Sequence, residues 1–205
     1  MSGHTIITIG RESGSGGLEV GQKLAALLGV KCYDKEILTE AAKASGFAEQ
    51  VLKEYDEKSK TSLFFGWTLG LSAAGANLPL GTQLYLAQFQ AIREMAAQGP
   101  CVFVGRCSDY VLKDTDCNLV NVFIHASPEA RKERVAARKG ISPEEAEEYN
   151  RKTDKDRASY YSYYTDHKWG RIENYDIVID SSKITIDETV QLLVQYLKLR
   201  EANIK

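Results

Sequence analysis

Short β-branched or apolar runs alternate along this chain with longer stretches whose apolar residues recur every three to four positions. The run HTIITI, His4 to Ile9, ends at Gly10. It predicts a first strand buried on both faces, because such strands read as continuous apolar sequence. Leu18 to Leu28 has helical spacing and stops at Gly29, a residue suited to a left-handed cap. Val30 to Tyr33 predicts a second strand, and Asp34 opens a helix running towards Ser45 and Gly46. CVFV (Cys101 to Val104), LVNVFIH (Leu119 to His125) and YDIVID (Tyr175 to Asp180) supply three more strands. Ser127-Pro128-Glu129 and Ser142-Pro143-Glu144-Glu145 are helix starts, with a capping serine and proline at the first helical position. Thr185 to Glu188 caps a final helix carrying Val190, Leu193, Val194 and Leu197. This alternation predicts an α/β fold, a five-stranded parallel sheet with helices on both faces. Ligands of such sheets bind at the carboxyl ends of the strands, which directs attention to Gly10 to Gly17, Asp34 and Arg106.

Composition narrows the class. At 205 residues, 43% hydrophobic and 26% charged, the chain suits one soluble domain with a substantial core. A net charge of −2 gives no global basic field for nucleic acid or anionic lipid. The four cysteines, Cys32, Cys101, Cys107 and Cys117, form no CxxC pair and no zinc spacing, and read as small thiols in a reducing compartment. The N-terminus lacks the basic and apolar regions of a signal peptide, so the expectation is a cytoplasmic protein. No charge falls between Lys60 and Arg93. Glycines, Asn77 and Pro79 interrupt that stretch, which reads as an apolar flap or a self-association surface and not as a membrane span.

The segment GRESGSGGLEVG, Gly10 to Gly21, lies between a strand and a helix. Successive glycines let backbone N–H groups point into one concavity, and the helix start adds a positive dipole end, so the loop suits a phosphate. Ser13 and Ser15 can donate further hydrogen bonds. The stretch Ser13-Gly14-Ser15-Gly16-Gly17-Leu18-Glu19 aligns with an SGAGKGT phosphate loop. Gly17 then stands at the lysine position and Glu19 at that of the Mg²⁺-binding hydroxyl. Arg11 or Lys35 could stand in for the lysine, though neither occupies its place on the helix. Glu12 or Glu19 could hold Mg²⁺; the metal ligands stay open.

Further motifs follow in order: Cys32-Tyr33-Asp34-Lys35-Glu36, Val104-Gly105-Arg106, Ala126-Ser127-Pro128-Glu129 with Arg131 and Arg134, Asp154-Lys155-Asp156-Arg157-Ala158-Ser159-Tyr160-Tyr161, and Asp180 to Ile186. Together they make the chain resemble the cytidylate kinase-like family, a divergent branch of the nucleoside monophosphate kinases. The resemblance implies a single three-layer P-loop kinase domain over 1–205, with an acceptor-binding and flap insertion at about 35–98 and a helical lid at about 140–170. It also implies ATP with Mg²⁺ and transfer of the γ-phosphoryl group to a nucleoside monophosphate. By the same resemblance Ser13, Gly14, Ser15, Gly16 and Gly17 cradle the donor, with Arg131 and Arg134 beside them. Arg106 grips the acceptor phosphate, Asp34 lies at the acceptor site, and Asp154 and Arg157 form the D-x-x-R of the lid. Planar guanidinium groups suit phosphoryl oxygens independently of any family.

The sequence also departs from the family. No aspartate precedes Gly105-Arg106, Glu40 replaces an arginine expected after Asp34, and the acceptor segment is rewritten by the uncharged stretch. Cytosine recognition is therefore not carried over. Two other readings stay open: a nucleotide-binding module without catalysis, and a kinase for another small metabolite. The tyrosines at 160, 161, 163 and 164 with Trp169 read as packing more than base stacking, and His125 and His167 as structural.

Overall fold

The computed structural model describes residues 4–34, 36, 37, 40 and 80–203. The chain divides into two units, Met1–Cys32 with Gly99–Lys205, and Tyr33–Gln98.

In the larger unit, β1 (Thr5–Arg11) leads through a glycine loop into α1 (Gly17–Leu28) and β2 (Lys31–Tyr33). After the second unit come β3 (Cys101–Val104), α3 (Ser108–Leu112), β4 (Asn118–His125), α4 (Pro128–Lys139), α5 (Pro143–Tyr164), β5 (Ile177–Asp180) and α6 (Ile186–Asn203). The sheet order is β2-β3-β1-β4-β5. β1 pairs in parallel with β3, Ile9 opposite Val104, and with β4, Ile9 opposite Val122. β4 pairs in parallel with β5 from Val122–Ile177 to His125–Asp180. β1 is thus central, and its C-terminal end opens onto the glycine loop.

Strand alternation assigns the two faces. Ile7 and Ile9 join Val20 and Leu24 of α1 and Val190 and Leu193 of α6 in one buried cluster. Residues such as Ile9 and Leu24, fully enclosed, each contribute about 1.5–3 kcal/mol of apolar burial. The buried Thr8 on the central strand is satisfied by donating to Asn121 Oδ1 at 2.6 Å.

Local signals set the helix ends. Gly29 caps α1 at φ 68°. Ser127 Oγ accepts the Ala130 N–H, and Ser142 and Glu145 form a reciprocal capping box on α5. Thr185 and Glu188 do the same for α6, with Glu188 N–H donating to Thr185 Oγ1 and Thr185 N–H to Glu188 Oε2.

Boundaries shift by a residue or two. β1 runs on to Arg11, two residues past the expected end, because it pairs with β4 as far as Ile124. β5 starts only at Ile177, since a 3₁₀ turn at Ile172–Asn174 occupies the chain before Tyr175. α3 was not expected.

In the second unit α2 (Leu80–Ala97) takes up the end of the uncharged stretch. It buries Ala91, Ile92, Met95 and Ala96, and sets Tyr85 edge-on to Phe89 at 6.3 Å. Residues 36, 37 and 40 are helical. The rest of the helix expected after Asp34, Lys35, and the flap up to residue 79 lie outside the described residues. No helix among the described residues is long and apolar enough to cross a membrane.

Candidate functional site

The loop between β1 and α1 turns on two left-handed glycines, Gly14 at φ 78° and Gly16 at φ 82°. Both also sit under close neighbours. A Cβ on Gly14 would lie 2.9 Å from Arg131 Cα, and one on Gly16 would strike Ile186 Cδ1. The loop is therefore clamped between α4 and the start of α6. Glu12 N–H donates to Ile124 O at 3.0 Å, and Ser15 N–H to Glu12 O at 3.3 Å.

The two loop serines are buried, and the Ser15 hydroxyl donates to Glu12 O at 2.9 Å. That hydroxyl braces the turn from within. The backbone N–H groups of Gly14, Gly16, Leu18 and Glu19 find no protein acceptor among the described residues. Four unclaimed donors at a helix N-terminus are what an anion-binding loop requires.

Charged groups converge on this loop from α4 and α5. Asp154 is the hub: it accepts the Ser13 N–H at 2.7 Å, pairs closely with Arg131 Nη1, and lies 3.5 Å from Arg157 Nη1. Arg157 Nη1 also donates to Arg11 O at 2.9 Å. Arg131 lies 3.5 Å from Glu12 Oε2, which in turn accepts the Ala126 N–H. One carboxylate thus holds two guanidinium groups at the mouth of the loop, only 15% of the Asp154 side chain being exposed. Arg157, three residues further along α5, reaches the same place because i and i+3 share a helix face.

Arg134 shares the α4 face with Arg131, as their spacing predicts, but its partners differ. Its Nη1 donates to Ser181 Oγ at 3.0 Å and to Ser15 O at 3.2 Å, and its Nη2 to Ser181 O at 2.5 Å. The expectation for Arg134 was a phosphate ligand; the structure surrounds its head with carbonyl and hydroxyl oxygens. Ser181 itself is fully buried, with its hydroxyl 2.6 Å from Ser15 O and 3.1 Å from His125 O. The sequence marks Asp180 to Ile186 only as a motif, and nothing in it singles out Ser181.

At the end of β3 the backbone takes three left-handed residues in a row: Gly105 at φ 82°, Arg106 at φ 59° and Cys107 at φ 55°. Arg106 and Cys107 have side chains, so this geometry costs of order 1–2 kcal/mol at each and is held only by its surroundings. Ser108 N–H closes the turn on Gly105 O at 3.2 Å. Arg106 emerges half-buried, and among the described residues its side chain makes no ion pair. Asp34 belongs to the other unit, half-buried just after β2.

In the first turn of α3, Asp109 accepts at Oδ2 from the Tyr161 hydroxyl of α5 at 2.6 Å. Burial pushes the Asp109 carboxyl above its ordinary range, against the lowering effect of that hydrogen bond, and burial likewise raises Tyr161. The other aromatic groups pack: Tyr160 on Tyr164 at 4.8 Å, and Trp169 edge-on to Phe123 at 5.4 Å. His167 Nδ1 meets Asn174 Oδ1 at 3.0 Å. None of the four cysteines forms a disulfide.

Among the described residues no three His, Cys, Asp or Glu side chains converge to hold a metal. Glu12 is engaged by Ala126 and Arg131, and Glu19 is exposed, 3.2 Å from Lys23. These residues do not form a protein cage for Mg²⁺, an ion that commonly binds through substrate phosphates and water.

Known proteins share this design. The model of the cytidylate kinase-like family matches residues 6–183. A cytidylate kinase from Methanopyrus kandleri is 28% identical over 196 residues, covering 92% of this chain and 90% of that protein. An uncharacterized protein from Eubacterium ventriosum superposes with a TM-score of 0.70 at 29% identity, covering 95% of this chain and 98% of the other. A shikimate kinase from Acinetobacter baumannii, in complex with shikimate, shares the fold at a TM-score of 0.54 and 16% identity, over 99% of this chain and 96% of its own. The chain belongs to the cytidylate kinase-like family, on a fold shared with small-molecule kinases.

Proposed function

We propose that this kinase moves the γ-phosphoryl group of ATP to a nucleoside monophosphate. The observation that carries the reading is the convergence of Arg131 and Arg157, through Asp154, on a loop whose N–H groups lack protein acceptors. Phosphoryl transfer needs little covalent help from the protein; positioning and charge stabilisation do most of the work. In this reading Gly14, Gly16 and the start of α1 cradle the donor phosphates. Arg157 and Arg131 turn from Asp154 towards the transferring group. Arg106, projected by its left-handed backbone at the end of β3, grips the acceptor phosphate. Arg134 and Ser13 are assigned to shaping the loop, a change from the donor contacts the resemblance implied for both. Mg²⁺, when bound, neutralises charge on the donor phosphates; no protein step is assigned to it.

The test is ADP release from ATP and Mg²⁺ over a panel of nucleoside monophosphates, with Arg157→Ala and Arg106→Ala as controls. Turnover of one monophosphate, falling about 100-fold or more in each variant as for loss of a group that binds transition-state charge, supports the reading. ATP binding with no turnover on any acceptor refutes it in favour of a non-catalytic nucleotide module. Glycine at position 17 and glutamate at 19, where the resemblance expects a lysine and a hydroxyl, favour that rival. Turnover of a different phosphate acceptor, without a monophosphate, would move the assignment to another small metabolite.

A further inference from the structure

We infer that Arg11 supplies the donor-phosphate cation that the glycine loop lacks at position 17. This rests on the functional reading above, and deepens it by naming the group that meets the β- and γ-phosphates.

Two glycines mark the path of the Arg11 side chain. Gly17, the first residue of α1, has ordinary helical backbone, so no conformational demand requires glycine there. What forbids a side chain is Arg11. A Cβ on Gly17 would run into Arg11 Cβ and lie 3.0 Å from Arg11 Cγ, with Ile124 Cβ at 3.4 Å behind it. Gly105, at the end of β3, meets the other end of the same side chain. A Cβ there would overlap Arg11 Nη1, with Cζ at 2.9 Å and Nη2 at 3.3 Å. The arginine therefore leaves β1, crosses the first turn of α1 through the space a residue-17 side chain would fill, and lays its guanidinium over Gly105.

Its direction follows from strand alternation. Ile7, Ile9 and Arg11 share one face of β1, the face that α1 covers. Because β1 continues two residues past Ile9, the third of these positions falls beyond the apolar cluster, at the carboxyl ends of β1 and β3. That is where a phosphate cradled by the loop would lie, and where Arg106 begins. The backbone carbonyl of Arg11 accepts from Arg157, so Arg157 is anchored on the same residue. A lysine at the head of the helix and an arginine at the end of the strand would occupy the same volume. The chain uses the second, and glycine at 17 is a consequence of that choice, while Gly105 also serves its own left-handed backbone.

The test is equilibrium titration of ATP, ADP and AMP onto the full chain, without acceptor, by calorimetry. The variants are Arg11→Met, Arg11→Lys, Gly17→Lys and the double Arg11→Ala/Gly17→Lys. Methionine keeps the packing of the stem against both glycines while removing the charge. The expected result for Arg11→Met is a loss of about 10- to 100-fold in ATP affinity, the range for one charge-assisted contact, with AMP affinity within about 3-fold. Gly17→Lys alone, which displaces Arg11, weakens ATP binding. The double variant, with the cation moved to the helix and the clash relieved, recovers it to within about 10-fold of the starting protein. Unchanged discrimination of ATP over AMP in Arg11→Met, its melting temperature preserved, overturns the inference. So does a double variant that binds no better than Gly17→Lys alone. A wild-type chain that fails to prefer ATP over AMP overturns this inference and the functional reading together. Preference retained in the wild type and in Arg11→Met overturns this inference alone.

Discussion

In Arg134→Ala the guanidinium that holds Ser181 O at 2.5 Å and Ser181 Oγ at 3.0 Å is lost, while both oxygens stay enclosed. Hydrogen bonds from a charged donor are each worth about 1.5–3 kcal/mol. Two of them at the low end give about 3 kcal/mol, leaving out the longer contacts to the loop carbonyls. For a chain of this size each kcal/mol moves the midpoint by about 2–4 °C, so the ligand-free protein should melt about 6–12 °C lower. The assay is thermal unfolding followed by circular dichroism with and without ATP, beside Arg157→Ala as comparison. A brace predicts a large fall without nucleotide and a partly retained nucleotide-induced rise. A phosphate ligand predicts the reverse, an unmoved ligand-free midpoint and no nucleotide-induced rise. A ligand-free fall under about 2 °C refutes the bracing role.

Three further outcomes follow from the same structure. Gly14→Ala forces a side chain into φ 78° against the Arg131 backbone, so it should cost about 2 kcal/mol or more and weaken ATP binding; an unchanged midpoint contradicts the clamp. Burial raises the Asp109 carboxyl, so the folded state keeps a proton that the unfolded chain has released. That stabilisation is complete in acid and lost as pH rises through the raised value. Asp109→Asn, which keeps an acceptor for Tyr161, should therefore gain stability relative to wild type as pH rises above about 4 in urea unfolding; a pH-independent difference is the refuting result. Cys101, pushed up to about 12 by burial, and Cys107, also raised, should resist iodoacetamide at pH 8 in the native state while Cys32 and Cys117 react; labelling Cys101 as fast as Cys32 would contradict the packing.

What could be read along the chain was what neighbours in sequence decide. The caps at Gly29, Ser127, Ser142 and Thr185 are made within four residues, and each stands where its pattern indicated. The strands were visible because a sheet covered on both faces needs unbroken apolar runs. α2 was not, since a stretch without charges carries little polar phase to mark its period. The site divides in the same way. The loop and the candidate arginines have local signatures, but their partners do not. Asp109 and Tyr161 are 52 residues apart, and Arg134 and Ser15 are 119 apart. Ser181 is a short polar residue at a strand end, and nothing within ten residues of it signals its contacts. The reason for glycine at 17 lies in Arg11, six residues earlier but one strand and one turn away in space.

Ser181 has a consequence for the order in which the molecule assembles. Its hydroxyl joins Ser15 across 166 residues of chain, and its backbone N–H bonds to His125 O at 2.9 Å. Contacts of such long sequence separation form late, because the entropy of closing the chain must be met before they contribute. The glycine loop, though encoded in the first seventeen residues, is thus finished only when the last strand docks. A nascent chain would carry the whole phosphate-loop sequence through most of its synthesis without a fixed anion site. A fragment ending after α5 should fail to retain nucleotide even where its secondary structure forms.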